Sequence, residues 1–357
     1  MALRLIELIL PEEQLKYAQD VLRDCQASGI WYEKLEENKI LIRILLPAEK
    51  TEEAIDTFEK HFSMVDGFRI ILFPVEASIP RLEEPEEEPA KNIEEPPEQQ
   101  LASNIGRISR EELYNDVADS AKITKIYLIM VALSSIVAAI GLLRSNVAII
   151  IGAMVIAPLI GPNVALSLAT TLGDIQLVRN SLKTMIIGIL TAFILSISLG
   201  IIFPVSLDIP EITSRTVIGI GDIILALAAG SAGALSFTTG VPTTLIGVMV
   251  AVALLPPLVT CGMLVGSGYM KDAFYALLLV FTNIICINLA GVLTFVLQGI
   301  KPLTWWEADK AKKATKIAIM LWVFLLLMLL IIILVSQKKV NIMINQEINN
   351  TVILAIS

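Results

Sequence analysis

The chain has little of what soluble enzymes are built around. It holds one histidine and three cysteines in 357 residues, which leaves few nucleophiles, few metal ligands and no basis for a disulfide framework. Cys25, Cys261 and Cys286 show no CxxC spacing, and the last two lie in apolar runs where a thiol is a small hydrophobe. His61 stands beside Phe62 at an expected helix end, a place that suits a cap or surface residue better than a ligand. No HExxH, GxSxG or paired aspartates occur in the apolar runs, and the N-terminal part lacks a Gly-rich phosphate loop. No enzyme activity, metal or cofactor is expected. A cleavable signal peptide is not expected either, because Arg4 and Glu7 interrupt the apolar start and Pro11-Glu-Glu13 follows it.

Charge is scarce as well: 17% of residues are charged against 55% hydrophobic, with a mean hydropathy of +0.74. That balance excludes an ordinary soluble protein of this length. The formal charge of −8 is no sign of a general acidic surface, because Glu83 to Glu98 holds eight Glu and one Lys. It gives no reason to expect a nucleic-acid partner.

What is present divides sharply. Residues 3 to 75 alternate strand-like and helix-like patterns: Leu3 to Leu10, Glu12 to Ala27, Ile30 to Leu35, Ile40 to Leu46, Glu49 to Phe62 and Phe68 to Val75. The first helix is expected to open at Pro11 and to end before Gly29. The order β-α-β-β-α-β in so few residues predicts an α+β ferredoxin-like domain, two helices on one face of a four-stranded antiparallel sheet, over residues 1–80. Residues 81–104, rich in Pro and Glu, read as an extended linker. Ser109-Arg-Glu-Glu112 is a capping-box pattern that opens an amphipathic surface helix within 105–124.

Residues 125–336 hold seven apolar runs, approximately Ile126–Leu143, Val147–Leu172, Met185–Val205, Val217–Phe237, Thr243–Gly268, Ala273–Leu297 and Ile317–Val335. Each is about as long as a hydrocarbon core of roughly 30 Å requires. The expected fold class is therefore an α-helical polytopic membrane domain of about seven spans, ending in an extracytoplasmic tail at 337–357. Ten Lys and Arg between Arg110 and Lys316 fall on one side, against Arg144, Arg215, Lys271, Lys338 and Lys339 on the other. That bias places the N-terminus in the cytoplasm and the chain in the inner membrane. Trp305 and Trp306 stand where an aromatic belt would put them.

An internal repeat lies at an offset of 95 residues. Ile151-Gly-Ala-Met-Val-Ile-Ala-Pro-Leu-Ile-Gly-Pro162 and Ile246-Gly-Val-Met-Val-Ala-Val-Ala-Leu-Leu-Pro-Pro257 agree at six of twelve positions. They are spans two and five, so spans one to three correspond to spans four to six. Three is odd, and the halves are then inverted. Both segments carry helix breakers, Pro158, Gly161 and Pro162 in one and Pro256 and Pro257 in the other. Proline removes a donor and clashes with the preceding turn, so each span is expected to kink or break there. Freed backbone groups must be satisfied in protein or face a wet cavity, and paired interrupted spans in inverted halves point to a transport site. The plainer reading is a pair of kinks that serve packing.

Polar residues in the apolar runs supply the remaining candidates. Asn163 follows the Gly-Pro pair, Asn283 and Asn288 interrupt span six, and Thr238, Thr239 and Pro242 precede span five. Each suits ion coordination or a half-helix cap, and equally an ordinary interhelical hydrogen bond of roughly 0.6 to 2 kcal/mol. Asp222 is the one acidic residue within an apolar run, either a functional intramembrane carboxylate or the N-terminal cap of a span that starts at Ile223. Small residues from Ala228 to Ala234 allow close backbone approach to a neighbouring helix or a second subunit.

The segments Pro74-Val-Glu-Ala-Ser-Ile-Pro-Arg81, Arg110-Glu-Glu-Leu-Tyr114, Ala138-Ala-Ile-Gly-Leu-Leu-Arg144, Gly152-Ala-Met-Val-Ile-Ala-Pro-Leu159 and Val250-Ala-Val-Ala-Leu-Leu-Pro-Pro257 carry a family resemblance. They resemble the uncharacterised hydrophobic-domain family of prokaryotic membrane proteins, domain of unknown function 389. The resemblance implies architecture and membrane location and assigns no substrate or site residue.

The function expected from the residues is a secondary transporter or channel for a small polar solute or ion, with regulation by the N-terminal domain. The alternative is a membrane-anchored sensor or scaffold through which nothing crosses. Expected partners are the lipid bilayer, the solute, a small-molecule regulator on the N-terminal domain and a second copy of the chain.

Overall fold

The computed structural model describes residues 3–23, 25, 27–36, 38–75, 108–239, 243–300 and 312–333, with 243–253 described by backbone alone. The expected linker at 81–104, Trp305, Trp306, Pro242 and the tail at 337–357 lie outside the described residues. The chain divides into two compact units: Met1–Asp116 with Phe237–Val241 and Leu297–Leu303, and the remainder.

In the first unit, β1 (Leu3–Pro11), α1 (Leu15–Arg23), β2 (Gly29–Lys34), β3 (Lys39–Pro47), α2 (Ala48–Phe62) and β4 (Arg69–Val75) follow one another, and then the first residues of α3 (Arg110–Ser120). The strands form an antiparallel sheet in the order β2-β3-β1-β4. Alternation sets its faces. Ile6, Leu8 and Leu10 of β1 and Ile40, Ile42, Ile44 and Leu46 of β3 point to one side, where they pack with Ala18 and Leu22 of α1 and Ala54, Ile55, Phe58 and Phe62 of α2. Burying each of the Ile, Leu and Phe side chains contributes about 1.5 to 3 kcal/mol relative to leaving it in water.

The first helix departs from expectation. Pro11 ends β1, opposite Lys39, and Glu12–Gln14 form a single 3-10 turn before α1 begins at Leu15. The first residues after Pro11 are thus held by the sheet, and α1 ends at Arg23, ahead of the expected boundary.

The second unit is helical. It contains α4 (Lys125–Leu143), α5 (Val147–Ile156), α6 (Ile160–Leu172), α7 (Ile175–Ile202), the short α8 (Pro210–Thr213), α10 (Thr243–Gly266), and most of α9 (Ile220–Thr239) and α11 (Met270–Leu297). A last helix, α12, runs Lys312–Ile333. Side chains cap several starts: Thr124, Asn146 and Asp174 each accept from the N–H three residues on. Among the described residues, five helices are long and apolar enough to cross a membrane, six if the bent pair α5 and α6 is one span. These helices mark a membrane protein. α11 is the most enclosed, with 83% of its apolar window buried, and α12 the least, with 11%. Thr282, Asn283, Asn288 and Thr294 of α11 therefore lie in protein rather than lipid.

Lipid offers no hydrophobic drive between helices, so close packing must supply it. The seam of α7 and α10 shows how. A Cβ on Gly200 would sit 2.2 Å from the Met263 carbonyl oxygen, and one on Gly266 2.3 Å from that of Ile197. Gly262 meets Ser196 and the Phe193 carbonyl in the same way, and Ser267 Oγ donates to the Gly200 carbonyl at 2.8 Å. A second close approach sets Gly230 of α9 on the backbone of Ile287 in α11.

Candidate functional site: a broken helix beside a buried amide pair

Of the two proline-bearing segments, one breaks. α5 ends at Ile156, Ala157 turns extended (φ −72°, ψ 116°), and α6 starts at Ile160 with a bend of 51°. The residue before a proline is pushed out of the helical region, which accounts for Ala157. Pro158 cannot donate to the Met154 carbonyl, and Pro162, four residues on, cannot donate to that of Pro158. The break falls at Pro158, the first of the three breakers named in this segment, one turn before Gly161-Pro162. Gly161, Pro162 and Asn163 lie within the first turn of α6, where a missing N–H costs little because that turn has no intrahelical acceptors. Gly161 has a packing role: a Cβ there would meet Ser120 at 2.8 Å.

The second segment does not break: of the expected kink or break, α10 shows no break, being helical from Thr243 to Gly266 through both Pro256 and Pro257. The carbonyls of Val252 and Ala253 lose their usual donors all the same. Every residue from Leu254 to Leu264 is buried.

Beside the break, two predicted residues meet. Asn288 Nδ2 donates to Asn163 Oδ1 at 3.0 Å and to the Ile284 carbonyl at 2.9 Å. Asn163 Nδ2 donates to the Leu159 carbonyl at 2.8 Å, holding the first turn after the break. Ser167 Oγ lies 3.1 Å from the Asn163 carbonyl and 3.3 Å from Asn288 Oδ1. Asn163, Ser167 and Asn288 are 1%, 1% and 0% exposed. A polar group buried so deeply must find partners, and these amides find each other. Gly291 permits the approach, since a Cβ there would stand 2.6 Å from Ser167 Oγ. Ser167 was not singled out in the sequence. Its spacing of four from Asn163 on one helix is the signal that would have found it.

Asn283 is buried on α11, 4% exposed. Asp222 sits in the first turn of α9, partly exposed, and its Oδ2 accepts from the Gly219 N–H at 2.8 Å. That is the reach-back half of a capping box. Thr238 and Thr239 end α9, and in the first unit Thr238 Oγ1 accepts from Gln298 Nε2 at 2.8 Å while its carbonyl accepts from the Ile108 N–H. Among the described residues of the helical unit no charged side chain is buried, so the interior chemistry is that of neutral amides, hydroxyls and carbonyls.

Comparison with known proteins places this region in context. A family model described as a domain of unknown function (DUF389) matches residues 154–289, a stretch that runs from the last turn before the break to just past Asn288. A protein of Methanocaldococcus jannaschii, itself described as uncharacterized, is 38% identical over 327 residues, 91% of this chain and 97% of that protein. No solved structure matches the chain.

Proposed function

We propose that this chain, which belongs to the family of the domain of unknown function DUF389, passes a small polar solute or ion across the membrane along a path at the α5–α6 break. The observation that carries the reading is the break itself, set beside a buried and uncharged Asn163–Asn288 pair. Backbone left without helical partners at the Pro158 break needs polar company that lipid cannot give, and a path for a polar species supplies it. The carbonyls of Val252 and Ala253, deprived of donors by Pro256 and Pro257, offer more acceptors on α10, a helix that packs against α5. Asp222 is left out of the path, because its carboxylate serves the start of α9.

The finer architecture belongs to the same proposal: seven spans, the first six as inverted triplets, with the N-terminal unit in the cytoplasm. The sheet order β2-β3-β1-β4, with both helices on one face, supports a ferredoxin-like reading of that unit. A sensor or scaffold without flux is the second reading. The closure of the amide pair on itself favours it, since the bonds between Asn163, Ser167 and Asn288 need no solute. Purified protein in liposomes separates the two. Flux of potassium, chloride or glycerol above that of empty vesicles, reduced in Asn288→Leu, supports the path; no flux of any of them supports the sensor.

A further inference from the structure

One feature of the first unit is outside that reading: a cleft of about 560 Å³ between α2, β4 and the first residues of α3. Its walls are of two kinds. Ile55, Ile70, Leu72 and Pro74 give an apolar side, whereas Glu59, Glu111, Glu112 and Asp116 bring four carboxylates to the same space. The sequence explains the arrangement. Ser109 caps the start of α3, its Oγ accepting from the Glu112 N–H at 3.3 Å, and the acidic residues of the first turns of α3 then fall beside the acidic residues of α2.

The unit neutralises part of this charge itself. Arg4, on β1, donates to both oxygens of Glu112 at 2.9 Å. Arg110 donates to Asp56 at 2.8 Å and to Glu111 Oε1, and its backbone N–H donates to Glu52 at 3.2 Å. Arg4 thus serves Glu112, and Arg110 serves Asp56 and one oxygen of Glu111. Two acidic groups on the cleft are less well served. Glu111 gives Oε1 to Arg110, whereas its Oε2 is buried and has no hydrogen-bond partner among the described residues. Glu59 is held above the ordinary carboxylate range, first by burial and then by the charges of Glu111 and Asp56, with Arg110 acting the other way.

We propose that this cleft binds an aliphatic amine, its ammonium group received by Glu111 and Glu59 and its methylene body laid against Ile55, Ile70 and Leu72. An ammonium brings donors to a carboxylate oxygen that lacks one, and charge-assisted bonds of this kind are the strong ones. A bare metal ion fits less well, because among the described residues no three His, Cys, Asp or Glu are placed to share one. An apolar wall gives nothing to a hydrated ion, but it does stabilise a hydrocarbon chain. The site does not depend on transport, so it stands or falls separately from the path at the break.

The test is calorimetric titration of the full-length protein in detergent with 1,6-diaminohexane, using 1,6-hexanediol as the neutral match and magnesium chloride as the bare cation. Saturable binding of the diamine is expected, with neither comparator competing at equal concentration. Glu59→Gln and Glu111→Gln should each weaken it about tenfold, and Glu53→Gln, an exposed carboxylate elsewhere on α2, should leave it unchanged. Circular dichroism of each variant checks that the sheet is intact, and Glu59→Gln alone decides if Glu111→Gln fails to fold. Absence of saturable binding, equal binding of the diol, displacement by magnesium, or an unchanged constant in folded Glu59→Gln overturns the proposal.

Discussion

The two proline-bearing segments of the helical unit share half their residues over a twelve-residue stretch, yet one breaks and the other does not. Spacing is one difference. Pro158 and Pro162 stand one turn apart, so the second proline removes the donor for the carbonyl of the first, and two successive turns are weakened. Pro256 and Pro257 are adjacent and concentrate their damage in one turn. Packing is the other difference. α10 is pinned along α7 by Gly262 and Gly266, with backbone against backbone, while α5 exposes Val147, Ile151 and Val155. A proline therefore states where a helix is weak; its neighbours decide whether it yields.

The strongest way to break this comparison is to unseat α10. Gly200→Leu or Gly266→Leu forces a side chain into backbone only 2.2 to 2.3 Å from the new Cβ. The cost should exceed about 3 kcal/mol, read as loss of monodisperse protein or a large fall in Tm. Gly152→Ala is the matched control, since nothing lies within 4 Å of a Cβ there; its stability should change by less than about 1 kcal/mol. Equal losses in both would remove packing as the reason α10 stays helical.

The next effect concerns the amide pair. Asn288→Leu leaves Asn163 Oδ1 without its donor and should cost about 1 to 2 kcal/mol, measured by thermal or denaturant unfolding in detergent. Asn288→Asp should cost more, because it buries a charge opposite another acceptor. A neutral result for both would show that the pair contributes nothing to holding α11 to α6.

Pro158→Ala tests the break directly and should change stability by only about 1 kcal/mol, since Ala157 is free to stay extended or to rejoin the helix. Spin labels at Gly152 and Thr170 should move apart as the bend of 51° relaxes. An unchanged separation would assign the bend to packing and not to the prolines. The smallest effect belongs to Asp222→Asn, which keeps an acceptor at the start of α9 and should shift stability by no more than about 0.5 kcal/mol. A large loss of flux in that variant would return Asp222 to the path.

Much of the fold is legible in residue order. Strand alternation such as Arg4-Leu-Ile-Glu-Leu-Ile-Leu10 and the helix of Glu49 to Phe62 depend on local period, and the structure follows them to within a residue or so. The first helix is less legible, because the pairing of Pro11 with Lys39 is a contact between distant residues. In the helical unit the apolar runs locate the helices, but α7 begins at Ile175, ten residues ahead of the expected Met185. Asp174 caps it, and polar residues such as Arg179 and Lys183 continue the helix beyond the apolar run. The site is the least legible part. Asn163 and Asn288 are visible as polar residues in apolar surroundings, but 125 positions separate them, and only packing reveals that they meet.

The central claim is that the broken helix serves passage of a polar species. Its most direct test is a flux assay in liposomes with wild type and Asn288→Leu, both shown to be folded by size-exclusion profile. The account predicts solute-dependent flux through wild type and its loss in the variant. Equal flux through both proteins would contradict the assignment of the path, and no flux of potassium, chloride or glycerol through wild type would contradict the transport reading itself.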